Sequence, residues 1–253
     1  MARMQRRFST LALFLLIPGL AAACRPTASD RPATDRAAGP ASPAPAPAAA
    51  PAAERHAAGP LVVFLGDSLT AGLGLDEDQA YPARVAAHLA ARGTSVRVIN
   101  AGVSGDTSAG GLARLDWLLG QHPDVVVVAL GANDGLRGLP LDDTEKNLRE
   151  ILRRCRDAGA RVLLLGMQIP PNYGPDYAGG FAAMYPRIAG DLDVPLVPFL
   201  LEGVGGVADL NQADGIHPTA EGQEKVADNV MPHLEKILAQ RGGPEAVAST
   251  RPE

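Results

Sequence analysis

A serine hydroxyl becomes a useful nucleophile beside a base that takes its proton, and the base needs a group that orients it. Gly66-Asp67-Ser68-Leu69 offers such a serine, and Asp214-Gly215-Ile216-His217-Pro218 offers a histidine with a carboxylate three residues before it. The chain has five histidines, of which four are poorly placed. His56 lies in a Pro/Ala tract, His88 and His233 fall inside helical patterns, and His122 precedes Pro123 at the start of a strand. His217 stands on a loop just before a helix start, where a tight turn can set Asp214 on its imidazole. Both motifs also have plain structural readings: Gly-Asp-Ser is ordinary turn chemistry, and Asp-x-x-His-Pro can be a helix-capping turn. An oxyanion at Ser68 would need fixed donors, each typically worth about 10²–10³ in rate. The candidates are the Ser68 N–H, the Gly102 N–H, which no side chain screens from a substrate, and the Asn133 amide. Taken singly, Gly102 and Asn133 are also ordinary turn residues.

What could bring these residues together is a parallel sheet. Leu61-Val62-Val63-Phe64-Leu65 reads as a buried strand that delivers Asp67 and Ser68 to its carboxyl end, the edge where open α/β sheets bind ligands. Val96 to Asn100 predicts a second strand, running into the loop Ala101 to Ser108 that carries Gly102. Asp124 to Leu130, with four consecutive valines, predicts the central strand and ends in the turn Gly131-Ala132-Asn133-Asp134. Arg161 to Gly166 and Val194 to Phe199 complete the set, the last weakened by Pro195 and Pro198.

Between them the periodicity predicts helices over Tyr81 to Arg92, Ala109 to Leu119, Thr144 to Ala158, Phe181 to Ala189 and Thr219 to Gln240. Asp142 and Glu145 have capping-box spacing, Pro218 is suited to open the last helix, and Met167 to Gly180 reads as a long loop. Cys155 shares an apolar face with Leu148, Ile151 and Leu152, as a core residue would. Five strands alternating with helices make a doubly wound five-stranded parallel sheet of the α/β class, in a single domain over residues 60–240. The turns after the first and third strands and the loop after the second share one edge.

With those residues in place, the pattern resembles the SGNH/GDSL hydrolases. The resemblance rests on Gly66-Asp67-Ser68-Leu69, Gly102, Gly131-Ala132-Asn133-Asp134 and Asp214-x-x-His217, and it covers about residues 60–240. It is sharper in Ser104-Gly105-Asp106-Thr107-Ser108-Ala109-Gly110-Gly111, in Asn133 to Gly138 and in Met167 to Gly174, which look like the bacterial acyl-CoA thioesterase I, lysophospholipase and arylesterase group. The resemblance implies the flavodoxin-like fold of that superfamily. It also implies Ser68 as nucleophile, His217 as base, Asp214 as orienter, and Ser68 N–H, Gly102 N–H and the Asn133 amide as oxyanion hole. The expected reaction is acyl transfer from an ester or thioester to water through an acyl-enzyme, with no cofactor and no metal. Leu136, Leu139, Ile169 and Tyr173 are the expected lining of the acyl groove, although each could equally pack the sheet edge. No Gly-x-Ser-x-Gly elbow is present, so the larger α/β-hydrolase family is not the match. A carbohydrate O-deacetylase would want aromatic stacking surfaces, and the chain has a single Trp, Trp117, in a helix. A third reading, an envelope-binding protein that no longer catalyses, would be favoured by a broken triad, and none is seen.

The N-terminal quarter is not domain-like. Residues 1–23 have a basic start (Arg3, Arg6, Arg7), an apolar run and small residues at the end, the layout of a secretory signal peptide. The run is interrupted by Pro18-Gly19 and falls short of the roughly 20 residues that span a membrane. Cys24 follows directly and resembles the lipidated Cys of a bacterial lipobox, with Ala21 where that motif usually has Leu; the other reading is ordinary Ala-x-Ala cleavage leaving a free thiol. Residues 24–59 are mostly Ala, Pro, Arg, Asp, Ser and Thr, too poor in apolar area to offset the entropy of ordering, and read as an extended tether. Residues 241–253 read as a disordered tail. These features predict a periplasmic or envelope-anchored monomer, membrane-tethered through Cys24, whose partner is a small-molecule ester or thioester. With a formal charge of −5 and no basic run in the globular part, nucleic acid is not an expected partner.

Overall fold

The computed structural model describes residues 59–240; the expected signal peptide, Cys24, the tether and the tail lie outside them. Five parallel strands form one sheet in the order β2-β1-β3-β4-β5. They are β1 Leu61–Gly66, β2 Arg97–Gly102, β3 Val125–Ala129, β4 Arg161–Leu165 and β5 Leu196–Val197. β1 and β3 are buried along their whole length, which is why their sequences are continuous apolar runs, whereas the edge strand β2 is mostly half-buried. The register pairs Gly66 with Gly102 on one side and with Ala129 on the other, so three strands end level with one another. From β1 the chain moves outward to β2 and then returns to β3 on the opposite side. The crevice between β1 and β3 is therefore the topological switch point, where such sheets bind ligands.

Eight helices flank the sheet among the described residues: α1 Ser68–Ala71, α2 Tyr81–Ala91, α3 Ser108–Ala113, α4 Leu115–Leu119, α5 Ala132–Leu136, α6 Leu141–Asp157, α7 Pro175–Leu192 and α8 Ala220–Ala239. α2 packs on α8, and α6 packs on α3 and α7, giving the two layers of a doubly wound domain. The largest fully buried side chains include Phe64, Tyr81, Phe181 and Tyr185, with edge-to-face ring pairs Phe64–Tyr81 and Phe181–Tyr185. Cys155 is buried in this core, and desolvation pushes its thiol up to about 12.

Several boundaries differ from the sequence expectation. The helix expected over Ala109 to Leu119 is two, broken at Arg114. α6 starts at Leu141, a turn earlier than expected, so Asp142 and Glu145 lie inside it and do not form a capping box; Glu145 instead pairs with Arg149 and Arg187. The long loop ends at Tyr173 because Pro175 opens α7, and the helix carries Gly179, Gly180 and Pro186. Gly180 is tolerated there for packing: a Cβ would lie 2.8 Å from Leu141 Cδ1. β5 shrinks to two residues between Pro195 and Pro198, since proline donates nothing to a ladder. Pro218 does not open α8; Thr219 caps it, accepting from the Gly222 N–H, and Pro218 bridges to Asn211.

Candidate active site

The nucleophile candidate is held by the end of β1. Asp67 caps α1, its Oδ1 accepting from the Leu69 N–H at 3.0 Å, and Ser68 is the first residue of that one-turn helix. The turn is tight because Gly66 has no side chain: a Cβ there would lie 2.0 Å from Thr70 Oγ1. Thr70 is buried with its hydroxyl 2.9 Å from the Tyr81 hydroxyl. The Gly66 carbonyl accepts from the Val103 N–H at 3.0 Å and from Arg114 Nη2 at 2.9 Å, tying β1 to the loop after β2 and to α3.

His217 reaches this turn from the other end of the chain. Its Nε2 is 2.9 Å from Ser68 Oγ, and its Nδ1 is 2.6 Å from Asp214 Oδ2. The second Asp214 oxygen accepts from the Ile216 and His217 N–H groups at 2.9 and 3.0 Å. Those two backbone donors, with the imidazole, hold the Asp214 carboxyl well below the usual carboxylate range. An ionised carboxylate only accepts, so Nδ1 carries the proton and Nε2 is free to accept from the Ser68 hydroxyl.

The loop is braced by residues that the sequence reading missed. Gln212 Nε2 donates to Leu73 O at 2.7 Å and to Pro218 O at 3.0 Å, binding the base-bearing loop to the segment after α1. Buried Gln223 in α8 accepts from the Tyr81 N–H at 2.9 Å and donates to Leu69 O at 3.1 Å, bridging the starts of α1 and α2. A signal was present: Gln223 lies on the same helical stripe as Val226, Ala227 and Val230, where an amide is out of place unless it is paired.

Asn133 lies in the first turn of α5 rather than in a free turn. Its Nδ2 donates to Asp106 O at 3.0 Å and to Asp67 Oδ2 at 3.3 Å. The neighbouring Asp134 is buried and accepts from the Ser108 N–H, the Ser108 hydroxyl and Thr144 Oγ1, which fixes α5 against the start of α3. Arg114 Nε pairs with Asp106 Oδ2 at 2.7 Å, steadying the loop whose carbonyl holds Asn133.

Gly102 does not fit the oxyanion role expected of it. Its N–H donates to Asn100 Oδ1 at 3.0 Å, and Asn100 Nδ2 in turn donates to Thr70 O at 2.9 Å. The absence of a side chain serves packing rather than access: a Cβ on Gly102 would lie 2.2 Å from the Ala71 nitrogen and 2.8 Å from Asp67 O. Three residues on, Gly105 turns the loop with φ +81°, and its carbonyl accepts from Arg137 at 2.8 Å. Its N–H has no acceptor among the described residues.

The expected groove residues separate. Ile169 is 8% exposed and belongs to the core, packing where a Gly135 Cβ would sit, so it offers little surface to a substrate. Tyr173 is half-buried and donates its hydroxyl to Leu136 O at 2.8 Å; Tyr177 does the same to Leu139 O at 2.6 Å. Leu136 is half-buried and Leu139 exposed. Among the described residues no group of three or more His, Cys, Asp or Glu side chains could hold a metal ion, and no helix is long and apolar enough to cross a membrane.

Residues 64–225, more than half of the chain, match the GDSL-like Lipase/Acylhydrolase family. The chain is 48% identical over 185 residues to Esterase TesA of Pseudomonas aeruginosa, covering 73% of this chain and 92% of that protein. It is 43% identical over 185 residues to the Thioesterase 1/protease 1/lysophospholipase L1 of Escherichia coli, covering 73% and 88%. Among solved structures, the psychrotrophic esterase EstA from Pseudoalteromonas, inhibited by monoethylphosphonate, superposes with a TM-score of 0.68 at 36% identity, covering 71% of this chain and 98% of that one. The chain belongs to the GDSL-like lipase/acylhydrolase family, as an ester- or thioester-cleaving serine hydrolase.

Proposed function

We propose that Ser68, His217 and Asp214 form a catalytic triad that hydrolyses acyl esters and thioesters carrying an apolar acyl or aryl group. The observation that carries this reading is the unbroken relay from Ser68 Oγ to His217 Nε2, 2.9 Å, and from His217 Nδ1 to Asp214 Oδ2, 2.6 Å. In the first step the Ser68 oxygen attacks the carbonyl carbon while its proton passes to Nε2. The imidazolium then returns that proton to the leaving alcohol or thiol as the tetrahedral intermediate collapses to the acyl-enzyme. Water, deprotonated by the same nitrogen, releases the acid.

The oxyanion donors in this reading are the Ser68 N–H, the Asn133 amide and the Gly105 N–H, which takes the place of Gly102. Gly105 is favoured because its N–H is uncommitted while the single Gly102 N–H is held by Asn100. The Asn133 amide has two N–H groups, and the longer of its bonds, 3.3 Å to Asp67, is the one that yields to the oxyanion. Support for an apolar substrate comes from three exposed apolar side chains on the segments around Ser68 and His217. Leu73 follows α1, Val103 follows β2, and Ile216 precedes His217. They join Leu136, Leu139 and Tyr173 as candidate lining, without Ile169. The activities of the relatives, an esterase and a thioesterase/lysophospholipase, fall within the same substrate class.

A fluorophosphonate probe is expected to label Ser68, and Ser68→Ala to abolish both labelling and turnover across p-nitrophenyl esters, acyl-CoA thioesters and lysophospholipid. An unlabelled wild-type protein, inactive on the whole panel, overturns the reading; faster turnover of acetylated sugars than of any of these shifts it to O-deacetylation. Export, lipidation at Cys24 and a monomeric state are part of the same proposal and rest on the sequence of residues 1–59 and on the nature of the substrate. The intact mass of the mature N-terminus checks the first two: an unmodified Cys24 rules out the anchor.

A further inference from the structure

Asp67 has an unusual position for a carboxylate that takes no part in the proton relay. It is 2% exposed, directly precedes the nucleophile, and spends one oxygen on capping α1 through the Leu69 N–H. The other oxygen, Oδ2, faces Asn133 Nδ2 at 3.3 Å. An asparagine amide can sit in either of two orientations related by a half-turn, one presenting NH2 and the other C=O. Only the NH2 orientation can stabilise an oxyanion, since the other would set a carbonyl dipole against the developing charge. At Asn133 the two groups that read the amide are both acceptors, the Asp106 carbonyl and the Asp67 carboxylate. Together they engage both N–H groups in the free protein, and the longer bond, 3.3 Å to Asp67, is the one an oxyanion displaces. A carboxylate that only accepts rejects the carbonyl orientation outright, and its charge strengthens the bond it makes.

We propose that Asp67 is a positioning residue for catalysis, which locks the Asn133 amide with its NH2 toward the oxyanion site before substrate arrives. The inference rests on the reading of Asn133 as an oxyanion donor. Asp67 acts through Asn133 and touches no reacting atom. Asp67→Asn is therefore not neutral: the introduced side-chain amide could donate to Asn133 Oδ1 and license the flipped, unproductive orientation.

The charged and titratable groups around Asp67 are His217 from the base loop, Asp106 and Arg114 from the loop after β2 and from α3, Asp134 from α5, Tyr81 from α2 and Tyr185 from α7. Burial pushes the Asp67 carboxyl up to about 6, with His217 pulling it down and Asp106 pushing it further up. Its ionisation, and with it the lock, falls within an accessible pH range.

A double-mutant cycle on the full-length protein tests this, with turnover of a p-nitrophenyl ester read as kcat and KM separately. Asp67→Asn is expected to lower kcat by up to about 10²-fold, the worth of one oxyanion donor, with KM little changed, because the amide acts on the transition state alone. In an Asn133→Ala background the same change is expected to have an effect within about 2-fold, since nothing is left to position. Equal losses in both backgrounds overturn the inference and leave the oxyanion role of Asn133 standing. An Asn133→Ala protein as active as wild type removes that role and this inference with it.

Should Asp67→Asn fail to fold, the Asn133 side-chain amide protons provide a second reading by NMR. They are followed in His217→Gln protein, so that the histidine does not titrate, and assigned by their loss on Asn133→Ala. They are expected to shift with a midpoint at or somewhat above about 6, because the imidazolium that lowers the Asp67 value is gone. Asn133 protons that stay flat while the Asp67 carboxyl carbon, followed in the same samples, titrates overturn the lock.

Discussion

Two aspartates flank the Ser68–His217 pair and do opposite things with the same chemistry. Asp214 has a side chain 45% exposed, and three donors from its own turn and the adjoining imidazole keep its charge favourable. Asp67 is almost wholly buried, and desolvation outweighs its two hydrogen bonds, so its carboxyl rises where that of Asp214 falls. A carboxylate whose work is to orient a base can be assembled from a few consecutive residues at the surface. Asp67, which we propose holds a distant amide, lies buried just past the end of β1, where ionising it opposes folding.

The largest effects that test this contrast lie on the exposed side. His217→Ala is expected to lower kcat/KM by about 10⁴-fold or more, with the thermal unfolding midpoint nearly unchanged, because the ring contributes to the relay and little to the core. Asp214→Asn keeps the two backbone bonds through its remaining oxygen but lets the imidazole adopt the wrong tautomer. A loss of about 10²–10⁴-fold follows, with only a small fall in melting temperature, because solvent screens the exposed carboxylate's favourable charge. Strong destabilisation by Asp214→Asn, measured by denaturant unfolding, would break the assignment of Asp214 to a self-contained turn.

Stability against pH sharpens the other side. Between about pH 4 and 6 the unfolded chain has lost the Asp67 proton while the folded chain retains it, so stability falls as pH rises through that window and the loss is complete above it. A carboxyl raised from about 4 to about 6 corresponds to about 3 kcal/mol. Asp67→Asn has no such proton. Its stability relative to wild type, from urea titrations at pH 4 and pH 7, is therefore expected to improve by up to about 3 kcal/mol over that range. No improvement would mean that the carboxylate is better solvated than its burial indicates. The Asp214 contribution has the other sign: it is present above the ordinary carboxylate range and disappears only as acid protonates the turn.

The smallest effect concerns the two glycines of the loop after β2. Gly102→Ala drives a Cβ into the α1 backbone and is expected to cost about 1–3 kcal/mol of stability as an overpacking change. Gly105→Ala meets open space, with Arg137 Nη2 the nearest atom at 3.6 Å, and bears only the strain of its positive φ, about 1–2 kcal/mol. Turnover by folded protein is expected to suffer more at Gly105, where the donor would be misaimed. A larger loss of turnover at Gly102 would return the oxyanion role to that position.

Legibility of the chain follows the range of the interactions involved. Strands β1 and β3 could be read because both their faces are buried, which leaves no room for polar residues. Asp214 and His217 could be read because the turn that joins them is made of its own residues. α7 was half hidden, since Gly179, Gly180 and Pro186 are local breaking signals that packing against α6 overrides. The resemblance implies Ile169 as groove lining, with packing against the sheet edge the other reading, and the side chain folds into the core. Gln223 and Gln212 carry bonds to partners 154 and 139 residues away, and no local pattern names those partners.

The sequence by itself determined the class of sheet, the edge on which Ser68 emerges, and the pairing of His217 with Asp214, because each depends on burial periodicity or on contacts within a few residues. The tertiary structure alone decided which glycine of Gly102-Val103-Ser104-Gly105 keeps a free N–H, and what Asp67 faces. The register that sets Gly102 level with Gly66 presses β2 onto the turn holding Ser68. The same closeness of strand ends brings Asn133 to the carboxylate beside it. Those distances are properties of neighbouring strands, and neither strand encodes them alone.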